Sequence, residues 1–428
     1  MRKKIKMISF GVDKKGESFY RPKIMRFPTL TLAAFALVST ASISFAQYEP
    51  VTQEDVKSRA FTFTGYVKEE YDDNFFTANS TTAKEDIFST LVQPGVVFNM
   101  PLDQTSISAR YLLGLSLYAD RPGDNILDVT HDFLGQITHE FSPRFAVDFK
   151  DQFRFTSEPE IRSGGAFRRR QGDYFQNTFA AFGKAQWVPR FGNTIEYDNM
   201  IVDYTDPVTS DGQDRMEHTV ALDNRWQWLT TTTAILGYRI NFADYKFNTP
   251  GADKDSTGHY VYVGADHKFT ERWAGMIRAG AEFRYFNTGM DQTNIGPYAS
   301  IGTDYEYAQG CKAGFNYTHT MSMTDINTYT IQTTDTLALN IFQSITRRFG
   351  ARLDGTYTMG YLQDTNMIGA VKGANMHDNI FNVAPTLVYT FNKYLSAELG
   401  YSYTRLDSDI DTRDYDRNRV FVGVRGTY

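Results

Sequence analysis

From about residue 59 to Tyr428 the chain alternates apolar and polar residues in about eighteen segments of ten to fifteen residues, joined alternately by very short turns and longer polar loops. A period of two puts successive side chains on opposite faces of a strand, so every segment carries one greasy and one wet face. A greasy face repeated this often, with no second sheet to cover it, must meet lipid. The only sheet that lipid tolerates is a closed barrel, because an open edge leaves unpaired N–H and C=O groups in hydrocarbon.

The lengths agree with this reading. About twelve residues at about 3.3 Å each, tilted near 40°, span roughly 30 Å, the thickness of a hydrocarbon layer. After residue 46 no run reaches the roughly eighteen apolar residues of a membrane helix, as expected where each strand is only half apolar. The 428 residues show no composition break at which to divide the repeat, so residues 59–428 are read as one domain.

Residues 1–46 read as an export signal: Arg2, Lys3, Lys4, Lys6, Lys14, Lys15, Arg21, Lys23 and Arg26 precede an apolar run over 30–45, and Ser44, Phe45 and Ala46 fit small-x-small cleavage. Met25, followed by Arg26, is an alternative start. Residues 47–58 then form a short periplasmic segment. Removing the signal takes nine basic and two acidic residues from totals of 44 and 50, leaving 35 against 48 and a net charge of −13. That balance argues against nucleic acid, whose phosphates would be repelled. The one cysteine, Cys311, has no internal partner and falls in the apolar register.

The first strand is expected over 59–71, with Phe61, Phe63 and Val67 on one face, and the second over 86–99. The third sends Ile107, Ala109, Tyr111, Leu113, Leu115 and Leu117 outward. In the strand after Ser142, Phe145, Val147, Phe149, Phe153 and Phe155 oppose Asp148, Lys150, Gln152 and Arg154, and Asp151 is out of register. Eight short turns and nine longer connections, near 72–85, 119–128, 157–173, 204–215, 245–257, 286–293, 321–332, 361–378 and 405–417, require eighteen strands with both ends on the short-turn side. The expected fold is therefore an all-β transmembrane antiparallel up-and-down barrel with short periplasmic turns and longer external loops. Phe141, Trp187, Phe191, Trp228, Phe269, Trp273, Tyr307, Phe349, Phe391 and Tyr394 gather at the short turns, as an interfacial girdle does.

The inward register carries charge of both signs: Arg154, Arg225, Arg239, Arg278, Arg284 and Arg352 against Asp148, Glu196, Asp198, Asp223, Glu282, Asp304, Asp354 and Glu398. A mixed lining of this kind belongs to a wet lumen, and rings of about this strand number leave an aqueous channel. Tyr260, Tyr262 and Tyr298 share that register, either as plain lumen packing or as platforms for sugar rings. Arg168, Arg169 and Arg170, in one of the two longest connections, would make an anion-attracting constriction if that loop folds inward.

Enzyme templates find no purchase, so no catalytic residue, cofactor or metal ligand is expected. The seven histidines show no zinc spacing: His131, His139, His218, His259, His267 and His319 lie mostly outward near strand ends, and His377 falls in a loop. Asp407, Asp409 and Asp411 open like a calcium loop, but the sixth and twelfth positions are Thr412 and Asn418.

YVKEEYDDNFF at 66–76, QPGVVFNMPLD at 93–103 and ARYLLGLSLYAD at 109–120 resemble the opening of the putative beta-barrel porin-2 family. The resemblance implies an outer-membrane barrel of a Gram-negative bacterium, with some members accompanying exopolysaccharide export. Its expected partners are outer-membrane lipid and lipopolysaccharide, the barrel assembly machinery, a polar solute or saccharide, and a second copy in a homo-oligomer. The expectation is a pore for small polar solutes or an export-linked polysaccharide; the alternative is a non-conducting surface barrel with a structural or adhesive role. The terminal Tyr428 departs from the phenylalanine usual in assembly signals.

Overall fold

The computed structural model describes residues 59–428 apart from 80–81, 120, 122–125, 158–159, 164–165, 170–172, 211–212, 247–254, 287–291, 324–330, 364–375 and 411–412. The export signal, the 47–58 segment, Arg170 and Asp411 lie outside the described residues.

The strands are β1 (Phe61–Asp72), β2 (Ile87–Pro101), β3 (Thr105–Ala119), β4 (Leu127–Ser142), β5 (Phe145–Ser157), a small hairpin β6 (Glu160–Ser163) and β7 (Ala166–Arg169), then β8 (Asp173–Val188), β9 (Phe191–Tyr204), β10 (Arg215–Leu229) and β11 (Thr232–Tyr245). They continue as β12 (Ser256–Thr270), β13 (Trp273–Phe286), β14 (Gln292–Ala308), β15 (Cys311–Met323), β16 (Ile331–Ser344), β17 (Phe349–Gln363), β18 (Met376–Asn392), β19 (Leu395–Ser408) and β20 (Tyr415–Thr427). Eighteen of them form one antiparallel sheet in which each pairs with its sequence neighbours; β6 and β7 pair only with each other. One helical turn, Pro207–Ser210, follows β9.

The ring closes where β1 meets β20, from Thr64 opposite Thr427 to Asp72 opposite Arg419. Tyr428 completes it through two backbone bonds with Phe63, both 2.8 Å, so the terminal tyrosine is held as the last rung. Inside this closure Arg417 grips the buried Asp72 with Nε and Nη2, and Tyr66 donates to Glu398 beneath the guanidinium of Arg425. Closure matters because it leaves no edge to be satisfied in lipid.

Side chains sort as the alternation predicts. Phe61, Phe63, Val67, Val420, Val422 and Val424 are exposed on the outside, and so are Phe141, Trp187, Trp228, Phe269 and Phe391 at the short-turn end. The barrel strands run from 12 residues in β1 to 17 in β14 and β18, a little longer than the alternation suggests. His377 is a correction: it is the second residue of β18 and not a loop residue. Cys311 is buried at the start of β15, as its register implies.

One feature of the outer face was not foreseen. At about the seventh residue above the short turn, six rising strands carry a tyrosine whose hydroxyl meets a polar side chain on the strand returning from the long loop. The pairs are Tyr111 with His131 (2.8 Å), Tyr197 with His218 (2.9 Å), Tyr238 with His259 (2.7 Å), Tyr317 with Asp335 (2.6 Å), Tyr357 with Asn379 (3.5 Å) and Tyr401 with Asn418 (2.6 Å). In each the hydroxyl's partner lies two residues before the tyrosine's direct neighbour, the diagonal that a long side chain can reach. Asp151, the misfit, obeys the same rule with Asn177 at 3.0 Å, and Thr90 donates to Glu69 on the β1–β2 hairpin. A lone hydroxyl or carboxylate at this depth would lack water, so the groups satisfy one another.

Candidate functional site

The inward face is where charge can meet a solute, and each arginine foreseen there points inward with a defined partner. Asp132 on β4 takes Arg154 from β5 at 2.8 Å and Arg110 from β3 at 3.2 Å, a three-strand clamp possible because inward residues of adjacent strands lie side by side. Asp266 does the same for Arg225 at 2.5 Å and Arg278 at 2.7 Å. Arg352 pairs with Asp354 two residues along β17, at 2.6 Å. Asp148 accepts from Gln136 and Thr138 at 2.8 and 2.5 Å.

Arg239 and Arg284 form the densest part of this lining. The Arg239 guanidinium sits 5.1, 5.7 and 5.5 Å from the ring centres of Tyr260, Tyr262 and Tyr298, within cation–π range. Tyr262 donates to Asp223 at 2.6 Å. Arg284 donates to the Tyr260 hydroxyl at 2.8 Å and to Glu282 at 3.0 Å, and Glu282 is fully buried. The fit depends on Gly237, opposite Tyr262, where a Cβ would stand 2.1 Å from the ring. The three tyrosines are therefore not free platforms for sugar rings. They are buried with their faces turned to Arg239, the lumen packing that alternation leaves open beside stacking.

The opposite case lies on β5, β8 and β9. Lys150 and Lys184 are exposed on the inner face, and Glu196 and Asp198 are half-buried two residues apart on β9. None of the four makes an ion pair or side-chain hydrogen bond among the described residues. Arg168 and Arg169 belong to β7, opposite Ile161 and Glu160 of β6, and this hairpin joins no barrel strand. Where their side chains point, and hence the constriction, lies outside the described residues.

The loop acids are engaged locally. Asp409 accepts from the His377 backbone N–H and meets its Nδ1, both at 2.9 Å, and these bonds hold its carboxyl below its ordinary range. Asp407 stands 3.5 Å from Arg405.

A family model described as "Putative beta-barrel porin 2" matches residues 129–428. The match runs from β4 to the last residue, downstream of the three segments that carry the resemblance in the sequence. Among solved structures, the chain is similar to Acinetobacter baumannii OccAB4, with 11% identity, TM-score 0.43, and 86% of this chain and 99% of that one covered. It is likewise similar to Pseudomonas aeruginosa OccK2 in complex with glucuronate (11%, TM-score 0.44, 86% and 98%) and to the FrpB iron transporter of Neisseria meningitidis (8%, TM-score 0.47, 88% and 83%). No curated protein matches.

Proposed function

From a chain that belongs to the family of "Putative beta-barrel porin 2", with an eighteen-stranded ring and a charged inner face, we propose a passive outer-membrane channel for small polar solutes. One observation carries the reading: Lys150 and Lys184 stand exposed on the inside of a closed ring, without an ion pair among the described residues. A lone ammonium is stable there only if water fills the ring. The lining holds both signs of charge, which suits neutral and zwitterionic solutes better than a single ion type. Saccharides fit this class through hydroxyls meeting the polar lining rather than through stacking on Tyr260, Tyr262 or Tyr298. Passage of an extended polysaccharide is the narrower form of the same reading.

Planar-bilayer recording of the refolded, heat-modifiable protein tests it. Unitary current steps are expected, together with swelling of proteoliposomes in small sugars that falls off with sugar size. A folded protein that gives neither steps nor swelling would make this a non-conducting surface barrel.

A further inference from the structure

Three strand prolines face outward on strands returning from long loops: Pro94, Pro297 and Pro385. Each is paired with the preceding strand, so its missing N–H falls on the side of the next one. At Pro94 the β2–β3 ladder skips from Val92–Leu115 to Gly95–Leu112 and resumes. At Pro385 the β18–β19 ladder skips from Val383–Tyr403 to Thr386–Gly400 and resumes. At Pro297 it does not resume. The last β14–β15 rung is Ala299–His319, and above it β14 pairs only with β13 and β15 only with β16 among the described residues.

The freed backbone finds another partner. Met321 N–H, which would have faced Pro297, donates to Glu282 Oε2 at 2.9 Å, and the Thr320 hydroxyl donates to the same oxygen at 2.9 Å. Glu282 reaches them from β13 across Gly296, its direct neighbour on β14, whose missing side chain leaves room for the buried Met321. Arg284 holds Glu282 from the same strand.

The outer side is open. A groove of about 520 Å³ lies along the split, with Ile295, Pro297, Met321 and Met359 among its apolar lining and His319 and Asp335 among its polar lining. The same place is the one interruption in the outer ring of polar pairs among the described residues. On the β13–β14 hairpin the tyrosine position is Ala279 and its partner position is Pro297. Ladder, groove and ring thus fail together at Pro297, at a depth where the surroundings are hydrocarbon.

We propose that this seam is a seat for one acyl chain of an outer-leaflet lipid. The lipid-facing wall of the groove sets Ile295, Pro297 and Met359 beside Thr333, Tyr361 and Asn379, and His319, hydrogen-bonded to Asp335 at 2.8 Å, supplies a polar edge suited to the oxygen-rich end of an acyl chain. Glu282 keeps the chain from the lumen. The seat does not depend on whether the lumen conducts.

The test is native mass spectrometry of the full barrel, refolded in detergent and incubated with purified lipid A. Wild type, Pro94→Val and Pro385→Val should each retain one lipid under activation that strips peripheral lipid. Pro297→Val, which restores the missing N–H and lets the ladder zip, should retain about tenfold less. Met359→Trp fills the groove without touching the ladder and should show the same loss, which covers failure of the proline variant to fold. Equal retention by Met359→Trp, no retained lipid in wild type, or a second protein copy in place of lipid would each overturn the proposal.

Discussion

Two stretches of the lumen wall, both carrying charge of both signs, behave differently. On β10–β13, Arg225, Arg239, Arg278 and Arg284 are each held by a carboxylate or a cage of tyrosines. On β5, β8 and β9, Lys150, Lys184, Glu196 and Asp198 make no ion pair or side-chain hydrogen bond among the described residues. The difference lies in spacing across strands and in residue type, since a guanidinium fork reaches two partners where an ammonium reaches one point. Arg284 has Tyr260 and Glu282 within reach, and Arg239 stands among three phenol rings, whereas Lys184 lies opposite Thr194 and Lys150 opposite Ala180. A matched wall is rigid and electrically quiet; an unmatched one presents its charges to whatever occupies the water. The solute is therefore expected to be read by the β5–β9 wall and merely contained by the β10–β13 wall.

Breaking the matched wall should have the largest effect. Arg284→Met leaves the fully buried Glu282 without its cation, and removing one partner of a buried pair costs about 3–5 kcal/mol. Urea unfolding of the reconstituted barrel, followed by heat-modifiable mobility, should show a loss of that size. A loss below about 1 kcal/mol would mean that water already reaches Glu282 and that the two walls are alike.

The fold was legible because lipid outside and water inside impose the period of two on every strand, and the count of long and short connections then fixes eighteen strands. The direction of Arg154, Arg239 or Glu282 follows from that period. What each one touches does not, since contacts across strands depend on register, which slips at turns whose lengths differ by a residue or two. Tyr260, Tyr262 and Tyr298 fall on the inner face for this reason, while the choice between packing and stacking rests on Arg239, which the period does not place among them. The outer pairs had a visible signal that was not used: a tyrosine about seven residues above each short turn, with a histidine, asparagine or aspartate on the returning strand. Pro297 had none, because it becomes a seam only through the failure of pairing above Ala299.

The unmatched wall should respond in function and hardly in stability. Replacing Glu196 and Asp198 by Gln and Asn should lower the cation-to-anion permeability ratio on the order of 2–5-fold. Replacing Lys150 and Lys184 by Gln should raise it by a similar factor. Surface-like charges of this kind move stability by no more than about 0.5 kcal/mol. Reversal potentials in asymmetric salt check the sign, and the same neutralisations at Arg225 and Arg278 serve as the contrast. If the matched wall shifts selectivity as strongly as the unmatched one, pairing does not silence charge in this lumen.

The smallest effect is expected at the long-loop end, where pairing is exposed. The bonds from His377 hold the Asp409 carboxyl below its ordinary range. A group depressed in the folded state contributes above its unfolded pKa and loses that contribution as pH falls through the folded value. The link between the start of β18 and the end of β19 should therefore persist at neutral pH and loosen only in acid, below the range where free aspartates protonate. His377→Ala should move the Asp409 titration, followed by carboxyl-carbon NMR, back up to the ordinary range while leaving conductance unchanged. If the midpoint stays low without His377, then something other than this pair holds the carboxylate, and the exposed end of the barrel resembles its matched wall more than its open one.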